Sequence, residues 1–266
     1  MMEPAPGAGV TAEELGIVDG TSVEGGGEVQ RKPAPRYRSL SVIVPVYNER
    51  ATIAEIIRRV RAVDVPLDVD VVVVDDGSND GTDKILAALA DSTVRVIVHP
   101  VNRGKGAAIR SALAVASGDL ILVQDADLEY DPDDWPRLLE PVLKGKARVV
   151  YGSRFTGERK NMLPSHWVGN RLLTLVTNVL YRSTLSDMET CYKVFDRQVF
   201  EGIRIRSDRF EFEPEITAKI LRRGERIYEV PISYAGREPD DGKKISWRDG
   251  ISALWALVRF RFDRSA

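Results

Sequence analysis

Leu120-Ile121-Leu122-Val123-Gln124-Asp125-Ala126-Asp127 joins a short apolar run to two carboxylates spaced two residues apart. Side chains at i and i+2 of an extended backbone point to the same side. The carboxylates of Asp125 and Asp127 would then repel by about 4 kcal/mol at about 4 Å and an effective dielectric near ~20, and a cation between them relieves that. Ligands of α/β sheets bind at the carboxyl ends of the strands. Paired carboxylates there suit a hard, oxygen-seeking ion such as Mg²⁺ or Mn²⁺ that also holds a phosphorylated substrate. Glu129, two residues further on, offers a third oxygen. Taken alone, a pattern this short also reads as a polar turn after a strand, so its neighbours decide.

Val42-Ile43-Val44-Pro45-Val46-Tyr47-Asn48-Glu49 reads as a buried strand running into a polar loop, and Val71-Val72-Val73-Val74-Asp75-Asp76-Gly77-Ser78 as a second strand ending in two aspartates and a turn. A third strand, Val94 to Val98, leads to Asn102-Arg103-Gly104-Lys105-Gly106 and a helix of small residues. Glycines allow close backbone approach, and Lys105 beside a helix N-terminus favours an anion. Helices are predicted near 51–63, 82–91, 105–116 and 132–143, alternating with these strands and followed by a strand at 149–152. Such alternation predicts an α/β fold, a mostly parallel sheet covered by helices on both faces. Past Gly152 the pattern loosens into a polar loop at 157–162, an apolar helix at 168–181, a strand-like 191–195, a helix at 213–223 and a strand at 227–232.

The 266 residues suit one large domain plus a tail, and 43% hydrophobic content is enough for a sizeable core. Residues 1–38, rich in Gly, Pro, Glu and Ala, read as a disordered tail without the features of a signal peptide. A net charge of −2 gives no global reason to expect nucleic acid as a partner. The single cysteine, Cys191, excludes a disulfide framework and a cysteine-rich zinc site, and it points to a reducing, cytoplasmic setting. Its apolar surroundings read as those of a packed thiol. The region 102–106 lacks the G-x-G-x-x-G spacing of a dinucleotide site, and no G-x-x-x-x-G-K-[ST] occurs.

In this order and spacing, Pro-Val-Tyr-Asn-Glu, Asp-Asp-Gly-Ser, Asn-Arg-Gly-Lys-Gly and Asp-Ala-Asp resemble the GT-A glycosyltransferases of family 2, within it the dolichol- and polyprenol-phosphate mannosyl- or glucosyltransferases. The likeness runs from about Leu40 to about Ile245. It implies a Rossmann-like GT-A domain over 39–236 that uses Mg²⁺ or Mn²⁺ and inverts the sugar. A nucleotide diphosphate sugar, of the GDP-mannose or UDP-glucose type, would lie among Pro45, Tyr47, Glu49, Asp76 and Lys105, with Asp125 and Asp127 on the metal and Glu129 as a further ligand. Ser153, Arg154, Arg171 and Arg237 fall where such enzymes hold the phosphate of a polyprenyl phosphate acceptor, and the planar fork of Arg matches a phosphate.

A phosphate monoester is largely ionised at neutral pH and attacks without a protein base, whereas a hydroxyl does not. If the acceptor is a hydroxyl of a glycan or small molecule, Asp187 or Glu189 is the preferred base and His166 a weaker one. A third reading, of another class, is a non-catalytic module that binds nucleotide-sugar or anchors a partner at the membrane.

The last part of the chain, 237–266, reads as a loop and an amphipathic helix. Trp247, Ile251, Leu254, Trp255, Val258 and Phe262 share one face, with Arg248, Arg259, Arg261 and Arg264 nearby. It is too short and too charged to cross a bilayer. It either lies in the interface, placing the protein peripherally on the cytoplasmic face of a membrane, or docks on the domain. The apolar helix 168–181, with Leu172, Leu173, Leu175, Val176, Val179 and Leu180, has the same two readings, with core favoured.

Overall fold

The four parallel strands that carry the motifs lie side by side. In the computed structural model, which describes residues 36–237 and 247–263, they are β1 (Ser39–Val46), β2 (Asp68–Asp75), β3 (Val94–Val98) and β4 (Leu120–Val123), in the order β3-β2-β1-β4. Val71 to Val74 and all of β4 are buried, as strands covered on both faces require. The sheet continues through β7 (Lys193–Asp196), β5 (Val149–Ser153) and β8 (Ile227–Pro231) to seven strands. Here β7 runs antiparallel to both β4 and β5, whereas β5 and β8 are parallel. A two-stranded sheet pairs β6 (Arg159–Lys160), inside what reads from sequence as a polar loop, with β9 (Tyr234–Ala235).

From β1 the chain builds outward to β3 and then returns to the other side of β1 as β4. The carboxyl ends of β1 and β4 therefore flank the point where strand order reverses, the crevice in which open α/β sheets bind ligands. Pro45 and Tyr47 leave one strand there and Asp125 the other.

The helices are α1 (Ile53–Ala62), α2 (Thr82–Leu89), α3 (Lys105–Leu113), α4 (Trp135–Leu143), α5 (Pro164–Tyr181), α6 (Phe212–Arg222) and α7 (Trp247–Phe262). Residues 132–134 form a separate 3₁₀ turn before α4, with Asp131 accepting from the Asp133 amide, rather than the first turn of one continuous helix. The helix expected at 168 begins four residues earlier because Pro164, which lacks an N–H, opens it.

Two helices depart from their expected faces. In α5, Leu173 is buried with Val176 and Leu180 packed beside it, but Leu172, Leu175 and Val179 are exposed, so the core reading of that helix holds for half of its stripe and is corrected for the other half. In α7, Ala253, Ala256, Leu257 and Phe260 are buried against α5 and α6, while Ile251, Leu254, Trp255, Val258 and Phe262 are exposed. The helix thus docks on the domain by one face and turns the expected apolar stripe outward. Most of the tail 1–38, the side chain of Trp247, and Arg264 lie outside the described residues. Among the described residues, no helix is long and apolar enough to cross a membrane.

Candidate active site

Asp125 and Asp127 open into a cavity of about 670 Å³, which is also lined by Pro45, Tyr47, Glu49, Asp76, Lys105 and Glu129. The loop that presents the two aspartates is held from below. Gln124 is fully buried, and its Oε1 accepts from Trp135 Nε1 at 3.1 Å and from the Tyr192 hydroxyl at 2.7 Å. Leu128 turns the chain at φ 62°, an unusual conformation for a non-glycine residue and one that clusters at functional sites.

Lys105 reaches the same loop. Its Nζ lies 2.9 Å from Asp125 Oδ1 and 2.9 Å from Glu213 Oε1 at the start of α6. Burial alone would raise the Asp125 carboxyl, but the attraction of Lys105 outweighs it and leaves Asp125 below its usual range. Asp127 goes the other way: burial first, then the charges of Asp125 and Glu129, push it up to about 7. A carboxylate so disfavoured, beside a second one, is the donor set a divalent cation would stabilise.

Glu129 is committed elsewhere. It accepts from the Tyr234 hydroxyl at 2.9 Å and the Arg237 amide at 3.1 Å. Among the described residues, no three His, Cys, Asp or Glu side chains cluster as a metal cage. Both carboxylate oxygens of Glu129 already accept hydrogen bonds from the protein, while the residue lines the same cavity as Asp125 and Asp127.

Asp76 organises the glycine loop. Its carboxylate accepts from the amides of Arg103 and Gly104, the latter at 2.6 Å, and meets His99 Nδ1 at 2.6 Å, while His99 Nε2 lies 2.9 Å from Ser111 Oγ. At Gly104, with φ +100°, a Cβ would meet the Asp208 carbonyl at 2.3 Å, so only glycine fits this approach.

The arginines separate. Arg154 lines the cavity but forms a two-pronged pair with Asp187, Nε at 2.7 Å and Nη2 at 2.8 Å from its two oxygens. Arg237 also lines the cavity, 2.7 Å from Glu49 and 3.7 Å from Asp127. Arg171 stands outside, over the rings of Phe155 and Trp167, and Ser153 is fully buried against Ser186. The geometry therefore brings Arg154 and Arg237, but not Arg171 or Ser153, to the cavity. Asp187 is sealed by Arg154, whereas Glu189 and His166 line the wall. The Cys191 thiol is buried, donates toward the Val123 carbonyl, and is pushed well up by that burial, as befits a packed thiol.

Glu213 has no place in the motif reading. Its only sequence signal is the alternation Phe210-Glu211-Phe212-Glu213 ahead of Pro214, which also reads as an ordinary acidic helix start. A second hollow, of about 1180 Å³, lies around Tyr37, Asp119 and Asp196 at the amino ends of β1 and β4 and contains none of the motif residues.

The family model for glycosyl transferase family 2 matches residues 41–204. The chain belongs to glycosyltransferase family 2. It is 35% identical over 226 residues to the low-salt glycan biosynthesis hexosyltransferase Agl6 of Haloferax volcanii, covering 84% of this chain and 52% of that protein. It is 30% identical to the glycosyltransferase AglJ of the same organism, covering 85% and 73%. With the undecaprenyl-phosphate 4-deoxy-4-formamido-L-arabinose transferase of Pseudomonas fluorescens it shares 29%, covering 84% and 63%. The chain thus spans about half the length of Agl6 and under two thirds of the Pseudomonas transferase. Glucosyl-3-phosphoglycerate synthase of Mycobacterium tuberculosis, solved with Mn²⁺, UDP and phosphoglyceric acid, superposes with a TM-score of 0.67 at 22% identity, over 85% of this chain and 79% of that one. The family 2 chain therefore has the GT-A fold expected for it.

Proposed function

We propose that this chain is a metal-dependent, inverting glycosyltransferase that moves a hexose, mannose or glucose, from a nucleotide diphosphate sugar to the phosphate of a polyprenyl lipid. The observation that carries the reading is the pairing of Asp125 and Asp127 at the strand-order reversal with Lys105 beside them. Relatives named as hexosyl- and undecaprenyl-phosphate transferases support it.

Asp125 and Asp127 would hold Mg²⁺ or Mn²⁺, which when bound supplies Lewis-acid stabilisation of the leaving diphosphate. Pro45, Tyr47 and Glu49 form the wall along which the nucleotide lies. Asp76 fixes the glycine loop, and so the position of Lys105. On the acceptor side, Arg154 and Arg237 put two guanidiniums on the cavity, and an ionised lipid phosphate needs no base. The hydroxyl-acceptor alternative now rests on Glu189, because the Asp187 carboxylate is taken up by Arg154.

The exposed apolar faces of α5 and α7, with Arg248, Arg259 and Arg261 alongside, support contact with an anionic membrane surface where the lipid resides. The unpaired, buried Cys191 fits a reducing compartment and hence the cytoplasmic face.

The test is transfer from GDP-mannose and UDP-glucose to a short polyprenyl phosphate, with Mn²⁺ or with chelator, and with polyprenol and glycan acceptors in parallel. Chelator-sensitive formation of a lipid phosphate sugar of inverted anomeric configuration is expected. Transfer only to hydroxyl acceptors would replace the lipid-phosphate reading, and nucleotide-sugar binding without turnover would replace the enzyme reading.

A further inference from the structure

The wall of the cavity that the motifs leave unexplained is built by Glu189, just before β7, and Glu213, on α6. Each carries a buried carboxylate oxygen without a hydrogen-bonding partner in the protein: Oε1 of Glu189 and Oε2 of Glu213. Buried polar atoms are nearly always paired, and each exception calls for an explanation. Two such acceptors on one cavity wall are explained together by a ligand rich in hydroxyl groups.

Position identifies which part of the ligand. Lys105 bridges Glu213 and Asp125 through one ammonium, so the Glu213 carboxylate stands one cation away from the residues assigned to the diphosphate. The anomeric carbon is bonded to that diphosphate, so the sugar ring has to lie within a ring's length of it. We propose that Glu189 and Glu213 form the hexose-binding wall of the cavity, accepting hydrogen bonds from hydroxyls of the transferred sugar. This rests on the nucleotide-sugar reading above and names its sugar-contacting residues.

A second cation is a poorer occupant. Lys105 pairs directly with Glu213, and Lys193 is buried close enough to act on both carboxylates. The wall thus already carries the Lys105 ammonium, and among the described residues no cluster of three or more metal-ligating side chains forms there. Glu189 also has its carboxyl pushed up to about 8, by burial first and then by Glu213. Near neutral pH it both donates and accepts hydrogen bonds, as a sugar hydroxyl does.

The experiment separates sugar contact from nucleotide contact and from a base role by measuring binding without any acceptor. Calorimetric titration with Mn²⁺ compares GDP with GDP-mannose and UDP with UDP-glucose, on the wild-type chain and on E189A and E213A. The wild type should bind one nucleotide-sugar and the matching nucleotide. The ratio of the two affinities should shift against the sugar-bearing ligand in both variants, by about tenfold or more in E213A, the scale of a hydrogen bond to a charged group, and by about threefold or more in E189A, the scale of one to a neutral group. Should an alanine variant fail to show a cooperative thermal transition, the isosteric E189Q or E213Q is measured in its place, with a smaller shift of the same sign expected. An unchanged ratio in folded variants overturns the proposal while leaving the transferase reading in place. A wild-type chain that binds no nucleotide or nucleotide-sugar overturns the transferase reading itself. Loss of turnover with an unchanged binding ratio in E189A assigns Glu189 to base chemistry and also overturns the proposal.

Discussion

Arg154 and Asp187 form a buried two-pronged ion pair, their side chains only 8% and 0% exposed, and the Asp187 carboxylate also accepts the Arg154 amide at 3.0 Å. Removing one member strands the other in the interior, which costs about 3–5 kcal/mol. Asp187→Asn should therefore lower the urea midpoint markedly. If instead it unfolds like wild type yet loses nearly all transfer, Asp187 acts on substrate and the hydroxyl-acceptor reading gains ground.

Asp127→Asn should behave in the opposite way. The wild-type carboxylate is disfavoured by burial and by Asp125 and Glu129, so the amide should leave thermal stability unchanged or raised. Mn²⁺-dependent binding of UDP or GDP should fall by about tenfold or more, the scale of one charged contact. Chelator-insensitive, wild-type-level nucleotide binding in the variant would refute the metal role.

Asp125 and Asp127 were legible in sequence because they follow a short, wholly apolar run, and Lys105 because it follows a glycine at the start of a helix after another parallel strand; parallel strands send such ends to one side of the sheet. Glu213 and the Arg154–Asp187 pair were not legible. They depend on β7 entering antiparallel between β4 and β5 and on α6 aiming its first turn at Lys105, contacts that no local pattern encodes. Arg171 looks like Arg154 in sequence, but α5 holds it over Phe155 and Trp167 outside the cavity. The apolar stripe of α5 shows a limit of periodicity: a face turned to solvent or lipid and a face turned to the core have the same spacing.

The Glu189 carboxyl, raised by burial and then by Glu213 from 4.5 to about 8, ties stability to pH. Between those values the folded chain holds a proton that the unfolded chain releases, so this group's contribution is full below about 4.5 and is lost as pH rises toward about 8. Glu189→Gln carries no such group. Its stability relative to wild type should climb between about pH 5 and about pH 8, as read from urea unfolding across that range. A difference that does not change with pH would show that Glu189 titrates normally in the folded chain.

The two faces of α7 make separable predictions. Leu257 and Phe260 are buried, whereas Trp255 and Phe262 are 65% and 72% exposed. Leu257→Ala should cost about 2–5 kcal/mol of stability through the cavity it leaves. The double change Trp255→Ser and Phe262→Ser should cost less than about 1 kcal/mol, since each alone alters a surface side chain by within about 0.5 kcal/mol. If the outward stripe meets a bilayer, that double variant should co-sediment less with vesicles at every salt concentration, because it removes apolar area. Replacing Arg248 and Arg259 with Gln should matter mainly with phosphatidylglycerol vesicles at low ionic strength, since surface attraction is screened within about 10 Å at about 0.1 M salt. Phosphatidylcholine vesicles separate the two contributions, because without anionic head groups only the apolar effect should remain. Wild-type vesicle binding by the Trp255 and Phe262 variant, together with a lowered melting temperature, would mean that the stripe packs against protein rather than lipid.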